Sequence, residues 1–286
     1  MRGSRGFTLP ELLVVIAIIA IVAAVLFPVL SAAKAVAVRS ACIANHRNAQ
    51  MASVMYLSDY DDHFMLVNHR IVRSGSNEVD RTWVQVLLPY ITSFDIFRCP
   101  GDSRSRTATE AVIDIDLVPG DTYARYYRAS LLSNLGYNYL YLSPPVATRN
   151  GYIIRPRSLS EIAQPDTMLL FVDSIRADSK SNPLGGGSYI VVPPCRFAPS
   201  NGTTRRDTFR ESGNPVFAPI QGWDSNPKSE LRYGMAWAYH LDRTNTVRVG
   251  GSIRPLTMKQ LASGCDVRES WNGLIRNMAA YDWDMD

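Results

Sequence analysis

The side chains in this 286-residue sequence best suited to chemistry are four cysteines, four histidines and one acidic run. Cys42, Cys99, Cys195 and Cys265 lie far apart and form no Cys-x-x-Cys pair. The spacing of a zinc finger or of a thioredoxin-like redox pair is therefore missing. An exported domain admits one or two disulfides, with Cys99, Cys195 and Cys265 as the candidates. Cys42, on the helix before them, can stay free, and spacing does not choose among the pairings. His46, His63, His69 and His240 contain no His-Glu-x-x-His or other close ligand pair, and no Gly-x-Ser-x-Gly elbow is present. Gly185-Gly186-Gly187-Ser188 lacks the lysine of a phosphate-binding loop and reads as a turn. A hydrolytic triad would need a serine with His240 and Asp242, and nothing in their spacing favours it. His240 is better read as hydrogen-bonded to backbone near a hairpin. Asp59-Tyr60-Asp61-Asp62 invites a calcium reading, but the loop glycine and distal glutamate of an EF-hand are absent, so it reads as a solvated turn. The expectation is no catalytic residue, no metal and no cofactor.

The elements that would position these residues start with the N-terminus. After the short basic stretch Met1 to Gly6 come Phe7-Thr8-Leu9-Pro10-Glu11 and then 22 residues without charge, Leu12 to Ala33. A helix of that length spans about 33 Å, enough for a hydrocarbon core of about 30 Å. Arg2 and Arg5 orient it with the bulk of the chain on the far side of the membrane, although Lys34 and Arg39 weaken the asymmetry. Ser31-Ala32-Ala33 resembles a signal-peptidase site. Glu11 at the edge of the span and Pro28 within it are out of place in a disposable signal. A carboxylate in that position is costly and suggests function, and Pro28 removes one helical hydrogen bond and favours a kink or local melting.

The helix is expected to continue to about Leu57, with Val36, Ile43, Met51 and Val54 on its buried stripe, Met55 at the margin and Arg47 spoiling it. Breakers then become frequent, with short β-branched runs at Thr167–Val172 and Tyr189–Val192 between them, which favours antiparallel strands with long loops. Net charge is +4 and falls to +2 without Arg2 and Arg5. With basic residues scattered, nucleic-acid binding is excluded as an expectation.

The stretch Gly6-Phe7-Thr8-Leu9-Pro10-Glu11-Leu12-Leu13-Val14-Val15 resembles the cleavage and methylation motif of type IV prepilins and type II secretion pseudopilins. The resemblance implies a cut after Gly6, an N-methylated Phe7, and a Glu11 carboxylate that pairs with the N-terminal amine of a neighbouring subunit. It also implies a flexible point at Pro28. Leu88-Pro89-Tyr90-Ile91, Phe97-Arg98-Cys99-Pro100-Gly101-Asp102, Tyr137-Asn138-Tyr139 and Ile162 to Thr167 resemble segments of a large-headed pseudopilin-like group. Its C-terminal hallmark is a histidine, nine residues and Asp-Gly; here His240 precedes Gly250-Gly251, with Asn245 between. Because Gly-Gly keeps a two-residue turn with positive φ at both positions and discards the carboxylate, His240, Asn245, Gly250 and Gly251 read as a structural motif.

The resemblance implies an α+β pilin-like fold: residues 1–6 a leader, 7–33 a transmembrane helix, 34–58 a stem helix and 59–286 a β-rich head. The implied function is a structural subunit of a type IV pilus-like or type II secretion filament. The implied partners are a prepilin peptidase and methyltransferase, other pseudopilins and an inner-membrane assembly platform. The implied location is the bacterial inner membrane, with the head on the outer side. Some relatives hold calcium, which no motif here supports. An alternative function is an adhesive or glycan-binding tip, using Tyr123, Tyr126, Tyr127, Tyr137, Tyr139, Tyr141, Trp223 and Trp237.

Overall fold

The computed structural model describes residues 8–72, 78–102, 126–148, 151–176, 186–200, 203–206, 223, 234–267 and 273–285. Helix α1 (Leu9–Asp59) supplies both the apolar segment and the stem. Thr8 starts it in an extended conformation, and the Glu11 carboxylate accepts hydrogen bonds from the Thr8 N–H at 2.8 Å and its hydroxyl at 2.7 Å. This capping box satisfies donors that a helix start leaves open, and Pro10 sits in the first turn where its missing N–H costs little. The helix runs unbroken through Pro28, so the local melting expected there does not occur in the single chain. It ends where Tyr60 donates to the Tyr56 and Leu57 carbonyls and positive φ at Asp61 and Asp62 turns the chain. The Tyr90 hydroxyl holds Asp59 at 2.7 Å, and Tyr56 stacks on Tyr60. The acidic run is thus a helix-ending turn.

The head is antiparallel for the most part. Its strands are β1 (Asn68–Val72), β2 (Glu78–Thr82), β3 (Leu135–Tyr137), β4 (Pro145–Thr148), β5 (Gly151–Ile154), β6 (Leu169–Asp173), β7 (Cys195–Ser200), β8 (Thr203–Arg206), β9 (Thr244–Arg248), β10 (Ile253–Leu256) and β11 (Gly273–Leu274). The central sheet has the order β10-β9-β6-β3, all antiparallel, and α1 packs on β9 and β10. The pairs β1-β2 and β4-β5 form separate hairpins, and β11-β7-β8 contains the parallel pair β11-β7. The expected strand over Thr167–Val172 is β6. Tyr189–Val192 instead makes a single parallel bridge from Ile190 to Tyr137. The core centres on Trp83, which meets Phe97, Tyr137 and Phe171 at ring separations of 4.8–5.7 Å.

The buried face of the stem differs from the expected one. Cys42, His46, Ala49, Ala52, Ser53 and Tyr56 face the head, whereas Val36, Met51, Val54 and Met55 are exposed, Ile43 is only partly buried and Arg47 is in solvent. Small residues on the inward face let the helix backbone approach the sheet closely. Val36, Met51, Val54 and Met55 are left outward, uncovered by the described residues.

The C-terminal turn also differs. Gly251 donates to the Arg248 carbonyl and Arg248 to the Ser252 carbonyl, enclosing a three-residue loop, Val249-Gly250-Gly251, with positive φ at Gly251 and not at Gly250. This is the three-residue hairpin with a left-handed last position. The two-residue turn with positive φ at both positions lies earlier, at Leu241 (52°) and Asp242 (59°), closed by reciprocal backbone bonds between His240 and Arg243.

Candidate functional site

The N-terminal part of α1 exposes its apolar side chains: Leu13, Ile16, Ile19, Val25, Phe27 and Leu30 are each at least half accessible. It is long and apolar enough to cross a membrane and lies at the N-terminus, which fits membrane anchoring. Gly6 and Phe7 lie outside the described residues. Glu11, one helical turn beyond them, is held by its own cap at Thr8.

At the other end of α1 a polar cluster is buried where helix meets head. Cys42 Sγ lies 3.0 Å from Cys99 Sγ and 3.7 Å from Asp173 Oδ1. His240 Nε2 lies 3.3 Å from Cys99 Sγ and 4.0 Å from Asp173 Oδ2. Four distant segments converge here: the stem helix, the bend after the turn Phe94–Phe97, the end of β6 and the tight turn at His240. Supporting groups surround them. His46 Nε2 is 2.9 Å from Asp173 Oδ1, and its Nδ1 is 2.8 Å from the Cys42 carbonyl. The Asn245 N–H donates to Asp173 Oδ2 at 2.6 Å. Gly101 N–H donates to Cys99 Sγ at 3.4 Å, and Cys99 N–H to Asn134 Oδ1 at 2.9 Å.

The electrostatics follow from that geometry. The hydrogen bond between the thiols raises Cys42, reinforced by burial, and lowers Cys99 to about 7, with further help from His240. Burial opposes charge on His46, but the Asp173 carboxylate and the Cys42 carbonyl outweigh it and raise its pKa. Both His46 nitrogens face oxygen, Nδ1 the Cys42 carbonyl and Nε2 the Asp173 carboxylate.

Residues 1–27 match the family model described as "Prokaryotic N-terminal methylation motif". The match covers the N-terminal segment, and the long apolar helix followed by antiparallel sheets fits a pilin-like α+β architecture. No curated protein and no solved structure gives a significant match to the chain.

The sequence landmarks take individual structural roles. Cys195 and Cys265 form a disulfide with Cα atoms 5.7 Å apart. Cys99, grouped with them on sequence, is instead a free thiol beside Cys42. His240 turns its ring to Cys99 and Asp173, not to hairpin backbone, and Asp242 lies exposed on the turn. Asn245 serves the site through its backbone N–H. Asp102 accepts from the Gly186 N–H and Asn134 Nδ2. Asn138 bonds the Leu169 and Trp283 carbonyls. Tyr137, Tyr139, Tyr141 and Trp223 are core residues, which takes half of the eight out of the expected aromatic surface, while Tyr126, Tyr127 and Trp237 are partly buried and Tyr123 lies outside the described residues. Sequence reasoning missed Asp173 and His46. The signal available was weak: a carboxylate ending an apolar strand, and a histidine four residues after a cysteine on a helix.

Proposed function

We propose that this chain is a non-enzymatic structural subunit of a membrane-rooted filament of the type IV pilus or type II secretion kind. In this reading it is cut after Gly6 by a prepilin peptidase and N-methylated at Phe7. The observation that carries the proposal is the methylation motif at residues 1–27, which runs into a helix whose apolar side chains are left uncovered by the described residues. Such a helix is satisfied first by lipid and then by the matching helices of neighbouring subunits, so the same surface serves storage in the membrane and assembly. The outward residues Val36, Met51, Val54 and Met55 extend that surface into the stem. Glu11 exchanges its own cap for the amine of an adjacent subunit, where opposite charges in a low-dielectric bundle offset each other's desolvation. Intact mass and N-terminal sequencing of protein recovered from native membranes test the proposal. A mature chain starting at methylated Phe7, with processing blocked by Gly6→Val, is the expected result. A mature terminus near Ala33 would show an ordinary signal peptide and end the filament reading.

A further inference from the structure

We propose that Cys42, Cys99, Asp173 and His240 form a structural zinc site that fastens the stem helix to the head. Their ligand atoms all lie within 4.8 Å of one another and all four residues are buried. A tetrahedral zinc ion with thiolate, imidazole and carboxylate ligands needs ligand atoms about 3.3–3.8 Å apart, from bond lengths of about 2.0–2.3 Å. The separations of 3.0 Å between sulfurs, 3.3 Å from Cys99 to His240, 3.7 Å from Cys42 to Asp173 and 4.0 Å from His240 to Asp173 bracket that range.

Two soft sulfurs with one nitrogen and one oxygen suit zinc and not calcium or magnesium, which take oxygen ligands. With four protein ligands the shell is complete, which marks a structural and not a catalytic ion. The surroundings match as well. The Gly101 N–H points at the Cys99 sulfur, and Asp173 is oriented by His46 on one oxygen and the Asn245 N–H on the other. Outer partners of this kind fix ligand geometry in metal sites. Binding sends the two thiol protons to solvent and changes no oxidation state. The mechanical consequence is specific. Helix α1 contributes a ligand, and the other three come from the bend after Phe97, from β6 and from the His240 turn, so one ion ties the stem to three parts of the head. The inference concerns the junction of stem and head and holds or fails independently of the filament reading.

The rival arrangement is a Cys42–Cys99 disulfide, which would give the convergence of His240 and Asp173 no role. Full-length untagged protein, extracted from membranes in detergent and passed through metal-free buffer, is analysed for zinc by mass spectrometry, with thiol alkylation before and after a chelator. The expected result is one zinc per chain, with Cys42 and Cys99 alkylated only after the ion is removed. Cys99→Ser and His240→Ala should lose the ion, and Cys265→Ser should keep it. Cobalt exchanged into the parent protein should give the visible bands of a tetrahedral thiolate site, a readout that needs no variant to fold. A peptide map showing Cys42 linked to Cys99, or reduced protein that takes up neither zinc nor cobalt, overturns the proposal.

Discussion

A Cβ on Gly250 would lie 2.2 Å from Asp166 Oδ1 and 3.2 Å from its Cα, while one on Gly251 would meet only the end of the Gln50 side chain at 3.1 Å. A side chain at Gly250 would therefore have to displace the exposed Asp166 carboxylate, and Gly251 is a glycine for its φ of +92°. The Asp-Gly form of the hallmark would be expected to suit a two-residue turn, but this turn has three residues and presses Gly250 on Asp166. Gly250→Asp should destabilise the head by about 1–3 kcal/mol through overpacking, with a second carboxylate placed against the first. Gly251→Val should cost about 1–3 kcal/mol through backbone strain, and Gly251→Asn clearly less, because asparagine tolerates the left-handed region. Thermal melts of the full chain in detergent measure both. A Gly250→Asp protein that melts like its parent would show that the loop does not lie against Asp166.

At the scale of the element, α1 has to satisfy two environments with one sequence. Its inward stem face is mostly small and polar until Tyr56 and Leu57 at its end, Ala49 and Ala52 being almost wholly inaccessible, while Val36, Met51, Val54 and Met55 point away from the head. Ala52→Leu should therefore destabilise the head by about 1–3 kcal/mol, since added methylenes have no space to occupy. Val54→Glu should shift the melt by no more than about 0.5 kcal/mol, as expected for an exposed site. Its predicted effect is on assembly: in a co-assembly assay the variant should enter filaments less well than the parent. A large loss of head stability with Val54→Glu would mean that the outward face is packed within the chain.

For the whole molecule, the disulfide and the N-terminal cap act at opposite ends. Cys195 and Cys265 are separated by 70 residues and tie the region of β7 to that of β11. Removing a loop closure of that length by Cys265→Ser should cost up to about 4 kcal/mol in the chain-entropy picture, which a lowered melting temperature would register. Unchanged melting in non-reducing buffer would show that the bond does not form in the native chain. At the other end, Glu11→Ala removes both Thr8 contacts and the carboxylate available to a neighbour. Cleavage and head melting should be retained and incorporation into filaments reduced. Normal incorporation of the variant would remove the amine–carboxylate pair from the assembly scheme.

The anchor was legible in the residues themselves, because a membrane selects on composition and length: an uncharged run from Leu12 to Ala33 behind a basic start needs no tertiary information to interpret. The end of the helix near residue 59 and the strand over residues 169–173 were legible for similar reasons, since acidic turn residues and β-branched runs act locally. The inward face of the stem was not. Hydrophobicity pointed to Val36, Met51 and Val54, and in this chain the larger apolar groups face outward while cysteine, histidine, alanine and serine face the head. The cluster of Cys42, Cys99, Asp173 and His240 was beyond reach for a different reason. Ligand spacing in sequence reports a site only when one or two segments build it, whereas here a helix, a bend, a strand end and a strained turn each bring one residue. The register of β6 against β9 and the docking of α1 on that sheet and on the Phe94–Phe97 turn bring 42, 99, 173 and 240 to one point, and these are decided by long-range packing.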